Sequence, residues 1–108
     1  MLSVAIGNYP HTRLLKERLA GSKDFDFVEV SPITKAFAQM VRQGTYDISE
    51  MALVTFLQAK AFGKPLVLIP AAVAARSQEV SLIRLANNDS IKGPADLKGK
   101  RIGVRAYS

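Results

Sequence analysis

The stretch Tyr46-Asp47-Ile48-Ser49-Glu50-Met51 places polar side chains between two largely apolar segments of the chain. The pattern predicts a short buried strand at Asp47-Ile48, a sharp turn, and a helix that Ser49 caps. In open α/β sheets, ligands lie where the carboxyl ends of the strands meet the following helices. We therefore expect this turn to contribute to a site for a small anion.

Two similar strand–turn–helix units precede this stretch. Leu2 to Ile6 is an apolar run that ends at the turn Gly7-Asn8-Tyr9-Pro10, and the proline is suited to open a helix. Phe25 to Val30 alternates like a strand, and Ser31-Pro32 after it is typical of a helix start with serine as the N-cap. Because the carboxyl ends of parallel strands share one edge of a sheet, we expect the three turns to converge.

Strand and helix alternate over residues 1–70, which predicts an α/β fold with a mostly parallel sheet and flanking helices. Further strands are predicted at Leu66 to Ile69, within Glu79 to Ala86 and at Arg101 to Val104, with one helical turn at Pro94 to Leu97. We predict a first domain over residues 1–88, followed over residues 89–108 by a hinge and the start of a second domain. Since no helix follows the last strand, we expect that second domain to be truncated.

Composition argues against several classes of function. The chain has no cysteine and 1 histidine, so disulfides and thiol catalysis are excluded, and neither a metal nor a cofactor is predicted. The 15 Lys and Arg residues outnumber the 9 Asp and Glu residues, but they form no binding stripe, and no nucleic-acid partner is predicted. No stretch approaches the ~20 apolar residues of a membrane span, and no signal peptide is recognisable. We expect a cytoplasmic protein as written, or a periplasmic one if a signal has been removed.

Few side chains in the sequence are candidates for catalysis or ligand binding. His11 follows the first turn and is a candidate proton donor, because imidazole titrates near neutral pH; the alternative is an exposed residue of a helix. The hydroxyls of Ser31 and Ser49 are explained as helix caps or, with the helix dipole, as anion donors. Asp47 and Glu50 form a candidate acid pair without metal-ligand spacing, and the dipole of the next helix explains Glu50.

A family resemblance rests on four segments: residues 33–37, the stretch 46–53, residues 59–65, and Asp96-Leu97-Lys98-Gly99-Lys100-Arg101-Ile102-Gly103-Val104-Arg105. Together they resemble the type 2 periplasmic-binding-protein fold. Within it they are similar to the 4,5-dihydroxyphthalate decarboxylase-like branch, which is related to NMT1/THI5-like solute-binding proteins of ABC transporters. The last segment marks the fold, whereas the Tyr-Asp-Ile-Ser-Glu-Met stretch and the turn with His11-Thr12 mark the branch.

The resemblance implies a two-lobed protein that closes on a small organic anion, of aromatic or other carboxylate or sulfonate type. It implies that one lobe contributes Gly7, Asn8, Tyr9, Thr12, Ser49, Glu50 and Met51, and the other Arg105 and Tyr107. Three functions remain open. They are a binding protein with an ABC permease as the parent protein's partner, a decarboxylase-like enzyme with His11 as proton donor, and an inactive fragment or oligomeric module. In the last case, unpaired strands would favour a homodimer.

Overall fold

The computed structural model describes residues 1–75 and 83–103 of the chain. The chain divides into two compact units, Met1–Val73 and Ala74–Ser108. The predicted domains, 1–88 and 89–108, stay predictions. Within the described residues, no helix has the length and apolar character needed to cross a membrane.

The first unit contains alternating strands and helices, as the sequence predicts. Its three strands form one parallel sheet with the order β2-β1-β3, so β1 is the central strand. This arrangement confirms the α/β class and is consistent with one lobe of a periplasmic-binding-protein-like fold. In chain order, the elements are β1 (Leu2–Ala5), α1 (Pro10–Leu19), β2 (Phe25–Phe27), α2 (Thr34–Gln43), β3 (Ile48–Ser49) and α3 (Leu53–Ala61).

The core lies around the central strand. Ala5 of β1 and Ala36 of α2 are both 0% exposed, and they form a cluster with the buried Tyr46. Two alanines at this contact let the helix approach the sheet closely, which favours burial of the apolar side chains around them. α2 ends where Gly44 adopts φ 60°, a left-handed conformation that favours glycine, and the Gly44 amide donates to the Met40 carbonyl at 2.9 Å.

Two helix starts differ from the prediction. The sequence predicts Ser31 as the cap of α2, but α2 begins at Thr34, and within the described residues no cap bond from Ser31 reaches it. The chain first makes a tight turn, in which the Lys35 amide donates to the Pro32 carbonyl at 3.1 Å. The sequence also predicts Ser49 as the cap of α3, but Ser49 belongs to β3 and pairs with Ala5, so α3 begins three residues after Glu50.

The predicted strand at Leu66 to Ile69 is wrong, since the structure assigns no strand there. The Leu66 amide donates to the Lys64 carbonyl at 2.8 Å, and the Ala71 amide to the Ile69 carbonyl at 2.7 Å. These amides bond to nearby carbonyls instead of to a neighbouring strand, and strand formation requires such a neighbour. Val67 is 89% exposed as a result.

The second unit contains a 3-10 helix at Pro94–Leu97, which confirms the predicted helical turn. The Asp96 carboxylate accepts hydrogen bonds from the amides of Lys92 at 2.8 Å and Gly93 at 3.0 Å. These bonds hold the pKa of Asp96 below its ordinary value. Of the two other predicted strands, residues 79–82 and Val104 lie outside the described residues. The remaining positions, 83–86 and 101–103, are not in strands.

Candidate ligand-binding edge

The carboxyl ends of the three strands lie side by side, and we call a set of residues in the segments after them the carboxyl edge. It comprises Gly7 to Tyr9 after β1, Glu29 after β2 and Glu50 after β3. Backbone bonds extend the sheet into this edge. The Val28 amide donates to the Val4 carbonyl at 2.9 Å, and the Glu50 amide donates to the Ala5 carbonyl at 2.8 Å.

Glu50 joins the end of β3 to the loop after β1. Its half-buried carboxylate accepts a hydrogen bond from the Gly7 amide at 2.9 Å and another from the Tyr9 hydroxyl at 2.7 Å, one on each oxygen. The predicted dipole role for Glu50 is wrong, because α3 begins only at Leu53 and has no acidic residue in its first turn. Glu50 instead organises the loop after β1.

The loop after β1 is tightly folded around Gly7. A Cβ atom on Gly7 would lie 2.8–2.9 Å from atoms of the Tyr9 ring and hydroxyl, so a larger residue would displace Tyr9. Thr12 is 5% exposed, and its hydroxyl donates to the Gly7 carbonyl at 2.6 Å and accepts from the Tyr9 amide at 2.8 Å. The Thr12 hydroxyl is therefore engaged inside the loop, where it fixes the start of α1.

His11 is an exposed residue in the first turn of α1, beside this loop. Its ring stacks with the Tyr9 ring, with the centroids 5.6 Å apart and the planes at 13°. Nε2 of His11 lies 2.8 Å from the Val73 carbonyl oxygen. Since a carbonyl oxygen can only accept, Nε2 carries a proton and donates this hydrogen bond, and Nδ1 is the ring nitrogen that the bond leaves available.

Three side chains close a ring of hydrogen bonds between β1, α1 and β2, which we call the Asn8–Lys16–Glu29 ring. The Lys16 ammonium donates to Asn8 Oδ1 and to Glu29 Oε1, both at 2.7 Å, and Asn8 Nδ2 donates to Glu29 Oε2 at 2.7 Å. The hydrogen bond from Lys16 is the main cause that holds the pKa of Glu29 below its ordinary value.

Sequence reasoning missed Lys16 and Glu29 as members of the edge. The helical pattern predicts that Lys16 faces water beside an apolar stripe containing Leu14 and Leu15. The opposite holds, because the Lys16 side chain is 11% exposed whereas Leu14 is 57% exposed. The sequence pattern also puts Glu29 inside the predicted strand Phe25 to Val30, whereas β2 ends at Phe27 and leaves Glu29 in the segment that follows.

Asp47 lies at the other end of β3 and does not pair with Glu50. Its Oδ2 atom accepts hydrogen bonds from the amide and the hydroxyl of Ser3, both at 2.8 Å. These bonds hold the pKa of Asp47 below its ordinary value. Asp47 therefore joins the amino ends of β3 and β1, and the candidate acid pair is not formed.

The other predicted site residues occupy different places. The Ser49 hydroxyl donates to the Glu50 carbonyl at 2.9 Å. Met51 is half-buried and belongs to the segment that connects β3 to α3. Ser31 is exposed. Arg105 and Tyr107 lie outside the described residues. The structure thus brings together the predicted residues of the first turn and Glu50.

Within the described residues, no three His, Cys, Asp or Glu side chains are grouped so that they could hold a metal ion. The N-terminus of α3 follows the edge. Ala52 at its N-cap has no side-chain acceptor, and within residues 1–75 no cap bond closes this helix end. Its first-turn amides and positive dipole end favour an anion. The edge can therefore bind an acid through amides and polar side chains.

Comparison with known proteins assigns the family. The profile of the NMT1/THI5-like family matches residues 24–107, and the chain belongs to this family of solute-binding proteins. Two curated relatives are the 4,5-dihydroxyphthalate decarboxylases of Pseudomonas putida and Comamonas testosteroni, each 33% identical over 111 residues. These findings confirm the family resemblance.

The relatives are much longer than this chain. The alignment covers 98% of the chain in both cases, but 42% of the Pseudomonas putida protein and 32% of the Comamonas testosteroni protein. The chain therefore spans less than half the length of these relatives. No solved structure gives a significant match.

Proposed function

We propose that the chain binds a small organic anion and that the carboxyl edge is the surface that contacts it. The observation that carries the proposal is the convergence of the three strand ends, which brings Asn8, Glu29 and Glu50 to one side of the sheet. Ligands of open α/β sheets lie in this position. Membership in a solute-binding family supports a small molecule as the ligand.

An anion fits the electrostatics of this edge. The uncapped N-terminus of α3 supplies amide donors, and neither α1 nor α3 has an acidic residue in its first turn. The two acidic side chains of the edge are already hydrogen-bonded, Glu50 to Gly7 and Tyr9, and Glu29 to Asn8 and Lys16. The chain also carries a net charge of +6, which attracts acidic ligands.

Two observations favour an aromatic acid among organic anions. The relatives are named for 4,5-dihydroxyphthalate, an aromatic dicarboxylate. The stacked rings of Tyr9 and His11 provide an aromatic surface beside the edge, against which a planar ligand ring can pack. In the longer relatives, further residues would complete the opposite side of such a site.

A second candidate function is decarboxylation, which the similarity to the two decarboxylases favours. Loss of CO₂ from an aromatic acid leaves an electron pair on the ring carbon, and a proton must be delivered there. In this candidate, His11 is the proton donor and Nδ1 is the atom that delivers the proton, because Nε2 donates to the Val73 carbonyl. Tyr9 then positions the imidazole by stacking.

Calorimetric titration of the chain with phthalate, paired with a CO₂-release assay on 4,5-dihydroxyphthalate, separates these functions. We expect phthalate binding, no CO₂ release, and binding that persists in a His11→Ala variant. CO₂ release that disappears in His11→Ala would favour the decarboxylase instead. Failure of the chain to bind phthalate or another small aromatic acid would contradict the proposed function.

A further inference from the structure

The Asn8–Lys16–Glu29 ring has the geometry of a carboxylate-recognition site. Two donors on different elements, the Lys16 ammonium and the Asn8 amide, each lie 2.7 Å from a different oxygen of one carboxylate. The third bond, from Lys16 to Asn8 Oδ1 at 2.7 Å, ties the two donors to each other. Lysine cannot accept and a carboxylate cannot donate, so this ring also fixes which end of the Asn8 amide faces Glu29.

The two sides of the ring differ in exposure. The Lys16 side chain is 11% exposed, whereas the Glu29 side chain is 60% exposed. Lys16 is therefore held by its surroundings, whereas Glu29 can turn into solvent at little cost, because its side of the ion pair is open to water, which can replace its hydrogen bonds. The Glu29 carboxylate is ionised at neutral pH and offsets the charge of Lys16, and the hydrogen bond from Lys16 lowers the pKa of Glu29 further.

We propose that Lys16 and Asn8 form a carboxylate-binding fork, which Glu29 occupies in this structure and which an acidic group of the ligand takes over on binding. The inference rests on the proposed function. It adds two residues to the proposed site, with Lys16 as a binding residue and Glu29 as an internal competitor of the ligand. The ligand class is a carboxylate, because the fork meets two oxygens of one planar group.

Competition by Glu29 has a measurable consequence. An internal carboxylate has a high effective concentration at the fork, so it lowers the apparent affinity for any external acid. A Glu29→Gln variant retains the shape of the side chain but removes its charge. We expect this variant to bind phthalate about two- to fivefold more tightly than the wild type, the factor that corresponds to an exposed ion pair.

The test is calorimetric titration of the full chain with phthalate at low ionic strength, with matched variants. Asp26→Asn is the control, because it removes the same charge from an exposed position of β2. It should bind like the wild type, whereas Lys16→Met should bind more weakly. Phthalamide has no carboxylate, so its affinity for the Glu29→Gln variant should equal its affinity for the wild type.

Each outcome bears on the proposal separately from the proposed function. If the wild type binds phthalate but Glu29→Gln binds no more tightly than Asp26→Asn, the fork is overturned and the binding function stands. Weaker binding by Glu29→Gln would make Glu29 a purely structural link between β2 and α1, which also overturns the fork. If neither the wild type nor any variant binds phthalate, the proposed function fails, and the fork with it. Since the comparison of Glu29→Gln with Asp26→Asn is decisive, the test still holds if Lys16→Met folds poorly.

Discussion

Asp47 and Glu50 lie three residues apart, and each joins β3 to β1, but at opposite ends of the strand pair. At the amino end, Asp47 binds the amide and hydroxyl of Ser3 and remains exposed. At the carboxyl end, the half-buried Glu50 binds Gly7 and Tyr9 and thereby shapes a loop. The same chemical group therefore fastens two strands at one end and organises a candidate site at the other.

The helices account for the difference between the two ends. The C-terminal turn of α2 precedes the amino end of β3, and carbonyl groups give such an end a partial negative charge. The N-terminus of α3 follows the carboxyl end, where amide groups give a partial positive charge. Position relative to the helices, more than residue type, therefore decides which carboxylate lies beside the proposed anion site.

We expect the largest loss of stability when a side chain is added at Gly7, in the loop at the carboxyl end of β1. A Gly7→Ala substitution would place a Cβ atom 2.8–2.9 Å from the Tyr9 ring and hydroxyl, so the ring must move and its bond to Glu50 is lost. We expect the free energy of unfolding, measured with urea, to fall by about 1–3 kcal/mol. The control is Gly93→Ala, whose Cβ would meet no atom within 4 Å. Equal stability of the two variants would show that the loop is not tightly packed.

Removing the two carboxylates in turn tests the comparison itself. Glu50→Ala leaves the Gly7 amide and the Tyr9 hydroxyl without their acceptor in a half-buried place, so we expect a loss of about 1–3 kcal/mol in unfolding free energy. Asp47→Ala should cost less, because water can replace the exposed carboxylate at Ser3. A larger loss for Asp47→Ala would reverse the roles that we assign to the two ends.

Acid should weaken the amino end through Asp47. Because its pKa is lowered in the folded state by the hydrogen bonds from Ser3, Asp47 stabilises the fold above its ordinary pKa. That contribution is lost as the pH falls through the lowered pKa. The free energy of unfolding by urea can be measured at neutral pH and again below about pH 3. Between these two conditions, Asp47→Asn should lose less stability than the wild type. An identical pH dependence of the two proteins would argue against the Ser3 bonds.

We expect the smallest effect, a change in the pKa of one side chain, in the Asn8–Lys16–Glu29 ring. Lys16→Met removes the main cause of the lowered pKa of Glu29, so this pKa should rise toward its ordinary value. NMR titration of the glutamate carboxyl carbons measures the change. Lys23→Met is the control, since Lys23 is exposed and outside the ring. A Glu29 pKa that responds equally to both substitutions would mean that Lys16 acts only through net charge.

The main lines of the fold were predictable from local patterns. The apolar run of β1, the proline that opens α1 and the glycine that ends α2 each agree with the structure, because these signals depend on neighbouring residues. The start of α3 was not predictable in this way. Ser49 has the chemistry of a cap, but pairing with Ala5 keeps it in the sheet.

The composition of the site was harder to predict than the fold. Pairing of Asp47 with Ser3 and of Glu50 with Gly7 depends on the register of β3 against β1, which a single sequence does not specify. Lys16 lies on a helix among residues predicted to be solvated, and only the position of β2 beside β1 brings Glu29 to it. Contacts between distant parts of the chain therefore set the site.

The central claim is that the carboxyl edge, and not the opposite end of the sheet, contacts the ligand. The most direct measurement is an NMR titration of the ¹⁵N-labelled chain with phthalate, following the backbone amides. We predict saturable shifts at Gly7, Asn8 and the first-turn amides of α3, with Ser3 and Asp47 unchanged. Shifts that are largest at Ser3 and Asp47, or an edge that does not respond at saturating phthalate, would contradict the claim.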